Sequence, residues 1–271
     1  MSQPSGHRKS RRRQLQASHQ KNWLTGRYAV LEVLKAAVWP VNRLFVADDL
    51  NAAEQTEVQR LAQSTTASLE QCSRDRLTEL CGSTHHQGYI ARMSAYPYAT
   101  VQELLRQSAE HSEATSRPPL LVVCDRIQDT FNFGAILRCC DAMNVSGVII
   151  GDTQQAAVTP QVARSSSGAV NHVPVATAEN LTQACLEISA AGFSLAAASE
   201  KSDSAAWKCD LSKPLALIIG SEAQGVCKEL IDLCRDHLRI PMLGQVSSLN
   251  AAVAAGILLY EIRRQQISAS E

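Results

Sequence analysis

Several patterns that identify common enzyme and metal sites are missing from this sequence. It has neither G-x-G-x-x-G nor G-x-x-x-x-G-K-[ST], so a standard dinucleotide site or P-loop would lack its phosphate-binding loop. It also has no H-E-x-x-H pattern, no C-x-x-C pair and no Cys/His cluster, and these are the usual signatures of zinc sites. A nucleotide-dependent oxidoreductase is therefore disfavoured, and no bound metal is expected.

Long apolar runs and aromatic side chains are also scarce. The longest apolar run spans 251–260, far short of the about 20 residues that a membrane-spanning helix needs. The basic N-terminus is not followed by an apolar segment, so it does not look like a secretory signal. The nine cysteines fit reduced thiols, and we expect a cytoplasmic protein without a membrane partner. With 4% aromatic residues, the core must consist mainly of Ala, Val, Leu and Ile.

A formal net charge of zero hides an uneven charge distribution. The rest of the chain beyond residue 31 carries 19 basic and 26 acidic side chains, a net charge of −7. A basic arm on an acidic body favours a polyanionic partner such as nucleic acid, although a solubilising tail is the alternative. Residues 1–31 contain no acid and seven basic residues: Arg8, Lys9, Arg11, Arg12, Arg13, Lys21 and Arg27.

The order of predicted elements indicates two domains behind this arm. Residues 1–23 are predicted to be a disordered basic arm. Helices and strands alternate over 24–98, which indicates a small α/β domain with a strand at 41–47. The start of 99–117 could be helical, but its end is polar and precedes two prolines, so a linker is predicted there. The second domain then covers 118–271.

The second domain reads as an α/β domain with a parallel sheet. Continuous apolar strands at 119–125, 145–151 and 215–220 are separated by helical stretches, as in a parallel sheet that is covered on both faces. A short strand is predicted at LRIPM, 238–242, and a final helix over about 248–265.

The stretch DTFNFGAILR, 129–138, is a largely apolar helix that carries two notable polar side chains. Asn132 stands at its entrance, where it could simply cap the helix. Arg138 lies within it and could pair with Asp141, three residues further on. The competing interpretation is that both side chains face a substrate.

Two further stretches place polar residues where ligands commonly bind. In LALIIGSEAQGV, 215–226, an apolar strand ends in Gly220-Ser221-Glu222, and the carboxyl ends of parallel strands are the usual ligand-binding edge. In RIPMLGQVSSLNAAVAAGILLYEI, 239–262, Ser247, Ser248 and Asn250 cluster at a helix start, where plain capping is the alternative.

Together and in this order, the three stretches resemble the motifs of the SpoU (TrmH-type) family of RNA ribose 2'-O-methyltransferases, in the SPOUT superfamily. The resemblance covers about 118–265 and rests on N-x-G-x-x-x-R, I-I-G-S-E-x-x-G and I-P-M-x-G-x-x-x-S-L-N. One departure concerns the first motif, since Asp129-Thr130-Phe131-Asn132 replaces D-P-x-N and the fixed φ of proline is lost.

The first domain resembles, more weakly, the α/β/α substrate-binding domain of the 23S rRNA guanosine methyltransferases in this family. The matching residues are Gly26, Val30 and Leu34 together with His86-Gln87-Gly88. The resemblance implies that the C-terminal sheet ends in a trefoil knot, an exception to the usual rules of chain topology. It also implies a homodimer formed through the knotted domain, with an active site drawn from both chains.

The resemblance further implies S-adenosylmethionine as the cofactor and RNA, most readily 23S rRNA, as the substrate. By motif position, the implied cofactor-binding residues are Gly220, Ile240 and Leu249, together with Ile218, Met242 and Ser248.

The implied catalytic residues are Arg138, Asn132, Glu222, Ser248 and Asn250. A ribose 2'-hydroxyl is a poor nucleophile, so the site must align it with the methyl donor and share its proton. The resemblance places Arg138 against the RNA phosphate and this hydroxyl. Because a guanidinium stays protonated, a phosphate-assisted proton relay fits Arg138 better than the role of a free base.

Two alternatives remain open on the sequence alone. Within the same class, the substrate could be a guanosine of tRNA, because only the added N-terminal domain favours rRNA. From a different class, the chain could be a non-catalytic RNA-binding assembly factor that keeps the fold. The intact polar motif residues argue against a degenerate site.

Overall fold

The structure is a computed structural model that describes residues 22–65, 67–115 and 117–269. The predicted basic arm lies almost wholly outside the described residues. The described residues form two compact units. The first comprises the residues up to Pro97 together with Val158–Arg164, and the second comprises Tyr98–Ala157 and the chain from Ser165 onward.

The first unit is built on a four-stranded mixed sheet. Its strands are β1 (Trp23–Thr25), β2 (Val41–Ala47), β3 (Ser68–Cys72) and β4 (Tyr89–Met93), and its helices are α1 (Arg27–Ala36), α2 (Ala52–Gln63) and α3 (Arg74–Cys81). The strand order is β1-β4-β2-β3, with β2 parallel to β3 and antiparallel to β4. The strand predicted at 41–47 is confirmed with those bounds.

The two parts of the weaker resemblance meet at the start of α1. Gly26 precedes the helix with φ of +102°, a conformation that glycine adopts readily, and its backbone N–H donates to the carbonyl of Tyr89 at 3.1 Å. The side-chain oxygen of Gln87 accepts from the backbone N–H of Arg27 at 3.1 Å. These bonds tie the helix start to the turn that leads into β4.

The second unit is built on a six-stranded sheet in which every pairing is parallel. Its strands are β5 (Leu120–Asp125), β6 (Gly147–Gly151), β7 (Val175–Ala178), β8 (Ser194–Ala198), β9 (Leu215–Gly220) and β10 (Asp236–Leu238). The helices of this part of the chain are α4 (Val101–Thr115), α5 (Thr130–Ala142), α6 (Pro160–Ser165), α7 (Leu181–Ala190), α8 (Lys228–Ile231) and α9 (Ala251–Ser268), of which α6 belongs almost wholly to the first unit. The strand order is β10-β8-β9-β5-β6-β7, which confirms the predicted α/β class and parallel sheet.

The prediction of a linker over 99–117 was wrong. Most of this segment is α4, a helix of 15 residues. Its apolar side, with Val101 and Leu104, packs into the core of the second unit, where Leu104 is completely buried against the sheet. The charged residues that suggested a linker lie on the exposed side of this helix, as expected for an amphipathic surface helix.

The last strand lies earlier in the chain than the predicted strand at 238–242. β10 covers only three residues and pairs with Ala196–Ala198 of β8. An isolated bridge from Arg239 to Ala205 follows, and there the pairing ends. Pro241 has no N–H to donate, so the chain beyond it cannot continue a ladder and instead forms a loop.

Helices α5 and α9 pack against each other, and α5 carries the first motif. A side chain at Gly256 of α9 would place its Cβ only 3.3 Å from the Cys139 sulfur of α5, which explains a small residue there. The buried Arg263 of α9 donates to the carbonyls of Met143 and Asn144, at 2.7 and 2.5 Å, just past the end of α5. Burial lowers the pKa of Arg263 to about 10, so it remains charged at neutral pH.

None of the helices in the described part of the chain is long and apolar enough to cross a membrane.

Candidate active site

Most of the polar motif residues lie at one edge of the six-stranded sheet. β5 ends at Asp125, β9 ends at Gly220 and β8 ends at Ala198, and because these strands are parallel, their carboxyl ends share one edge. The loops that leave this edge hold the second and third motifs. Ligands of open α/β sheets commonly bind in this place.

Gly220 allows the loop after β9 to fold back tightly on the strand. A Cβ at this position would lie 2.0 Å from the carbonyl carbon of Gly225, so no larger residue fits without moving the loop. The loop closes through a hydrogen bond from the Gly225 N–H to the Ser221 carbonyl at 2.8 Å. We call residues 221–225 the glycine loop.

A first cavity of about 230 Å³ opens beside the glycine loop, at the ends of β8, β9 and β10. Apolar side chains supply much of its wall, and the rim includes Glu200 and Lys201. Five of the six predicted cofactor-binding residues line this cavity: Gly220, Ile240, Met242, Ser248 and Leu249.

Ile218 is the exception among the predicted cofactor-binding residues. Its side chain is completely buried in the core cluster on one face of the sheet, together with Val123 and Leu195. Its neighbour Ile219 lines the cavity instead. Successive side chains of a strand point to opposite faces, so only one of these two isoleucines can face the cavity.

Glu222 of the glycine loop forms a hydrogen-bonded polar cluster with Asn132 and Asn250. One carboxylate oxygen of Glu222 accepts from the Asn132 side-chain amide at 2.8 Å and from the Asn250 amide at 2.6 Å. The Asn250 amide also donates to the Asn132 side-chain oxygen at 2.9 Å. We call these three residues the polar cluster. It joins one residue from each of the three motifs.

Helix capping accounts for only part of this arrangement. The cap of α5 is Asp129, whose side chain accepts from the Asn132 backbone N–H at 2.7 Å, so capping does not occupy the Asn132 side chain. Asn250 does cap α9, accepting from the N–H of Ala252 at 2.9 Å, while its amide group serves the polar cluster. Glu222 also lies near the start of α9, where a negative charge is favoured by the helix dipole.

A second cavity of about 290 Å³ adjoins the polar cluster. Its lining includes the polar residues Arg126, Asp129, Asn132 and Gln154. Residues 221–224 of the glycine loop line both cavities, so this loop forms the wall between them. The arrangement can hold two ligands next to each other, one in each cavity.

The structure does not bring Arg138 to the polar cluster. Arg138 is exposed on α5, and within the described residues it forms no hydrogen bond or ion pair, so the alternative pairing with Asp141 is absent. It follows Asn132 by six positions, which corresponds to about 9 Å along the helix and about 120° around it. Ser248 also stays apart from the cluster and lines the first cavity.

An ion pair beneath the glycine loop was missed in the sequence. Asp125 is buried at the end of β5 and accepts from two guanidinium nitrogens of Arg126, at 2.9 and 3.0 Å. It also accepts from the backbone N–H of Cys227 at 2.7 Å. The hydrogen bond to Asp125 raises the pKa of Arg126. The signal available in the sequence was a charged pair immediately after an apolar strand.

No group of three or more His, Cys, Asp or Glu side chains within 22–65, 67–115 and 117–269 is arranged to hold a metal ion.

Family models match most of the chain. The model described as the SpoU rRNA Methylase family matches residues 119–260, and the model described as RNA 2'-O ribose methyltransferase substrate binding matches residues 23–99. The first match contains all three motifs, and the second covers the sheet of the first unit.

Individual relatives agree with these matches over nearly the whole chain. YacO of Bacillus subtilis, assigned to the TrmH family of tRNA/rRNA methyltransferases, is 31% identical and covers 92% of this chain and 98% of its own. The SpoU methyltransferase AviRb of Streptomyces viridochromogenes, solved with AdoMet, is 25% identical with a TM-score of 0.75, covering 98% of this chain and 95% of that one. A solved RNA 2'-O ribose methyltransferase is 25% identical with a TM-score of 0.67, covering 94% and 92%.

Proposed function

Since the chain belongs to the SpoU (TrmH-type) family of RNA methyltransferases, we propose that it transfers a methyl group from S-adenosylmethionine to a ribose 2'-hydroxyl of RNA. The observation that carries the proposal is the polar cluster, which joins the three motifs on the wall between two adjacent cavities. A methyl transfer needs a donor and an acceptor site side by side.

The first cavity is the proposed cofactor site, and its residues fit that ligand. Apolar side chains such as Ile240 and Leu249 suit an adenine ring, and the glycine loop brings backbone groups close to it. When bound, S-adenosylmethionine supplies an electrophilic methyl group on a sulfonium. The family uses this cofactor, and AviRb was solved with it.

The second cavity is the proposed site for the reacting ribose. Its amide and carboxylate groups can hold hydroxyls, and the cluster bonds fix Asn132 and Glu222 before the ribose arrives. The Asn132 amide would orient the sugar, and the Glu222 carboxylate can accept a hydrogen bond from a hydroxyl. Such prior positioning lowers the entropic cost of alignment.

Arg138 is the proposed phosphate-binding residue, and it acts in a second copy of the chain. Its position on α5 keeps it from the polar cluster of its own chain, while its charge and exposure suit an RNA phosphate. An exposed apolar stripe on α9, formed by Val253, Ile257 and Tyr260, is suited to dimerisation. We also propose that the C-terminal sheet ends in a trefoil knot.

The proposed substrate is a guanosine of 23S rRNA, with tRNA as the alternative. Two features support rRNA: the description of the matching family and the presence of a separate substrate-binding unit. All nine cysteines are free thiols, which suits the reducing cytoplasm where this reaction would take place.

Product analysis tests the proposed reaction. RNA from cells that lack the protein would be incubated with the full chain and methyl-labelled S-adenosylmethionine, then digested to nucleosides. We expect the label in a 2'-O-methylated nucleoside. Before digestion, the phosphodiester bond on the 3' side of that nucleotide should resist alkaline hydrolysis. Label on a base, or binding of RNA without any transfer, would refute the proposal, and the second result would favour the assembly-factor alternative.

A further inference from the structure

Arg126 connects the end of the central strand to the glycine loop. Its guanidinium donates hydrogen bonds to both carboxylate oxygens of the buried Asp125. It also donates to the side chain of Gln224 and, at 3.3 Å, to the Gly225 carbonyl. Asp125 in turn holds the chain just after the loop, through the Cys227 N–H. The C-terminal end of the glycine loop is therefore held against the end of β5.

The backbone at Arg126 adopts a conformation that an arginine rarely takes. Its φ is +60°, in the left-handed region that glycine occupies without strain. A glycine would serve the turn itself better, so the turn does not explain the arginine. The explanation must come from its side chain, which is three-quarters buried between Asp125 and the glycine loop.

We propose that Arg126 is a positioning residue, which holds the glycine loop in the place where Glu222 meets Asn132 and Asn250 while the same loop closes the cofactor cavity. This inference rests on the proposed function and adds to it a residue outside the three motifs. Residues 221–224 line both cavities, so a shift of the loop would disturb cofactor binding and the polar cluster together.

The Arg126→Gly variant separates this role from a merely structural one. Glycine relieves the left-handed backbone, but the buried Asp125 loses its guanidinium partner, so the melting temperature should fall, and the hydrogen bonds to Gln224 and Gly225 disappear. Binding and turnover are therefore measured well below the melting temperature of the variant. We expect the affinity for S-adenosylmethionine, measured by calorimetry, to fall about tenfold, with kcat for RNA methylation reduced by a similar factor. The Arg126→Lys variant should recover part of both, because an ammonium can still bind Asp125 but lacks the planar fork.

Ser167→Gly is the matched control. Ser167 is exposed and has φ of +52°, and it lines neither cavity. This variant should gain similar backbone freedom with unchanged cofactor affinity and kcat. Gln224→Ala should cause a smaller loss in the same direction, because it breaks only one of the hydrogen bonds of Arg126. The double variant should be no worse than Arg126→Gly, because both changes remove that same bond.

Three outcomes would overturn the positioning role. Arg126→Gly could match the wild type in cofactor affinity and kcat. It could lose both only in proportion to a lower melting temperature. It could change only KM for RNA and its salt dependence, which would make Arg126 a direct phosphate ligand. Failure of the proposed function would look different, because the wild-type chain itself would then transfer no methyl group to RNA.

Discussion

Asn132 of the polar cluster and Arg138 lie on the same helix, α5, and yet the fold treats them differently. Asn132 is bonded to Glu222 and Asn250 within one chain, and its position follows from the packing of α5 against α9. Arg138, less than two turns further along α5, points to solvent without a hydrogen-bond partner in the described part of the chain. One half of the proposed site is thus complete in a single chain, and the other half is not.

This difference teaches that motif residues of one helix need not serve one pocket. Hydrogen bonds within the cluster account for its three residues without any ligand, since both amides donate to the Glu222 carboxylate. They do not explain Arg138, for which a single chain provides neither packing nor an ion pair. Under the proposed function, the partner of Arg138 lies outside its own chain and is either RNA or a second copy together with RNA.

Arg138→Ala is expected to have the largest effect on catalysis with no effect on folding. Removing a charge-assisted hydrogen bond to the reacting region should lower kcat by about 10²–10³-fold. The melting temperature should stay unchanged, because the side chain is exposed and has no partner to lose in the described part of the chain. Steady-state methylation of RNA and thermal unfolding would be measured on the same preparation.

Arg264→Ala provides the control for this variant. Arg264 is also a partly exposed arginine on a helix of the second unit, and among the described residues it pairs with Glu261 of the same helix at 2.8 Å. Its removal should leave methylation intact. Normal turnover by Arg138→Ala, or an equal loss in both variants, would end the assignment of Arg138.

Glu222→Ala should produce a smaller loss of activity accompanied by a small loss of stability. The amides of Asn132 and Asn250 lose their shared acceptor, but water can replace it at this open site, so the unfolding free energy should fall by less than about 1 kcal/mol. We expect kcat to fall about tenfold, since the two amides lose their fixed orientation.

The Glu222→Gln variant sharpens this result. Glutamine keeps an acceptor oxygen for the two amides but replaces the charged carboxylate with a neutral amide, so it should restore most of the stability. Restored kcat in Glu222→Gln would show that orientation matters rather than charge. Wild-type kcat in Glu222→Ala would remove the polar cluster from the mechanism.

Deletion of residues 1–20 should have the smallest effect. The arm holds five clustered basic residues at 8–13, outside the described part of the chain, and its loss should weaken RNA binding a few-fold at moderate salt. The slope of log affinity against log salt should fall by about 0.7–0.9 for each phosphate that the arm no longer neutralises. Binding isotherms at several salt concentrations would measure both quantities.

The full-length chain with these five residues changed to glutamine is the matched control for the arm. Loss of affinity in both variants would assign the effect to charge. Unchanged affinity and an unchanged salt slope in both would reduce the arm to a solubilising tail.

The sequence predicted the sheet of the second unit well, because buried parallel strands are continuous apolar runs. The strand at 215–220 is found with its predicted bounds. The predictions from sequence failed for elements that carry few apolar residues or that expose a charged side. β3, SLEQC, pairs with a single strand at the edge of its sheet and carries few apolar residues, and α4 was hidden by its charged outer side.

The residues of the candidate site also divide into those that the motifs identified and those that only the fold reveals. Motif positions identified the polar cluster, although the cap of α5 proved to be Asp129 rather than Asn132. They did not predict the burial of Ile218, which depends on the alternation of side chains along β9. The pair of Asp125 and Arg126 lay outside the motifs, and only the folded loop reveals what Arg126 holds.

The proposal that one active site combines two chains is tested most directly by complementation between two inactive variants. One chain would carry Arg138→Ala and the other both Asn132→Ala and Glu222→Ala, and mixed dimers would be isolated through two different affinity tags. If Arg138 serves the polar cluster of the partner, one of the two sites in each mixed dimer is intact. RNA 2'-O-methylation should then return to about half of the wild-type rate per dimer. A mixed dimer no more active than the two parent variants would contradict the account, because Arg138 would then have to act within its own chain.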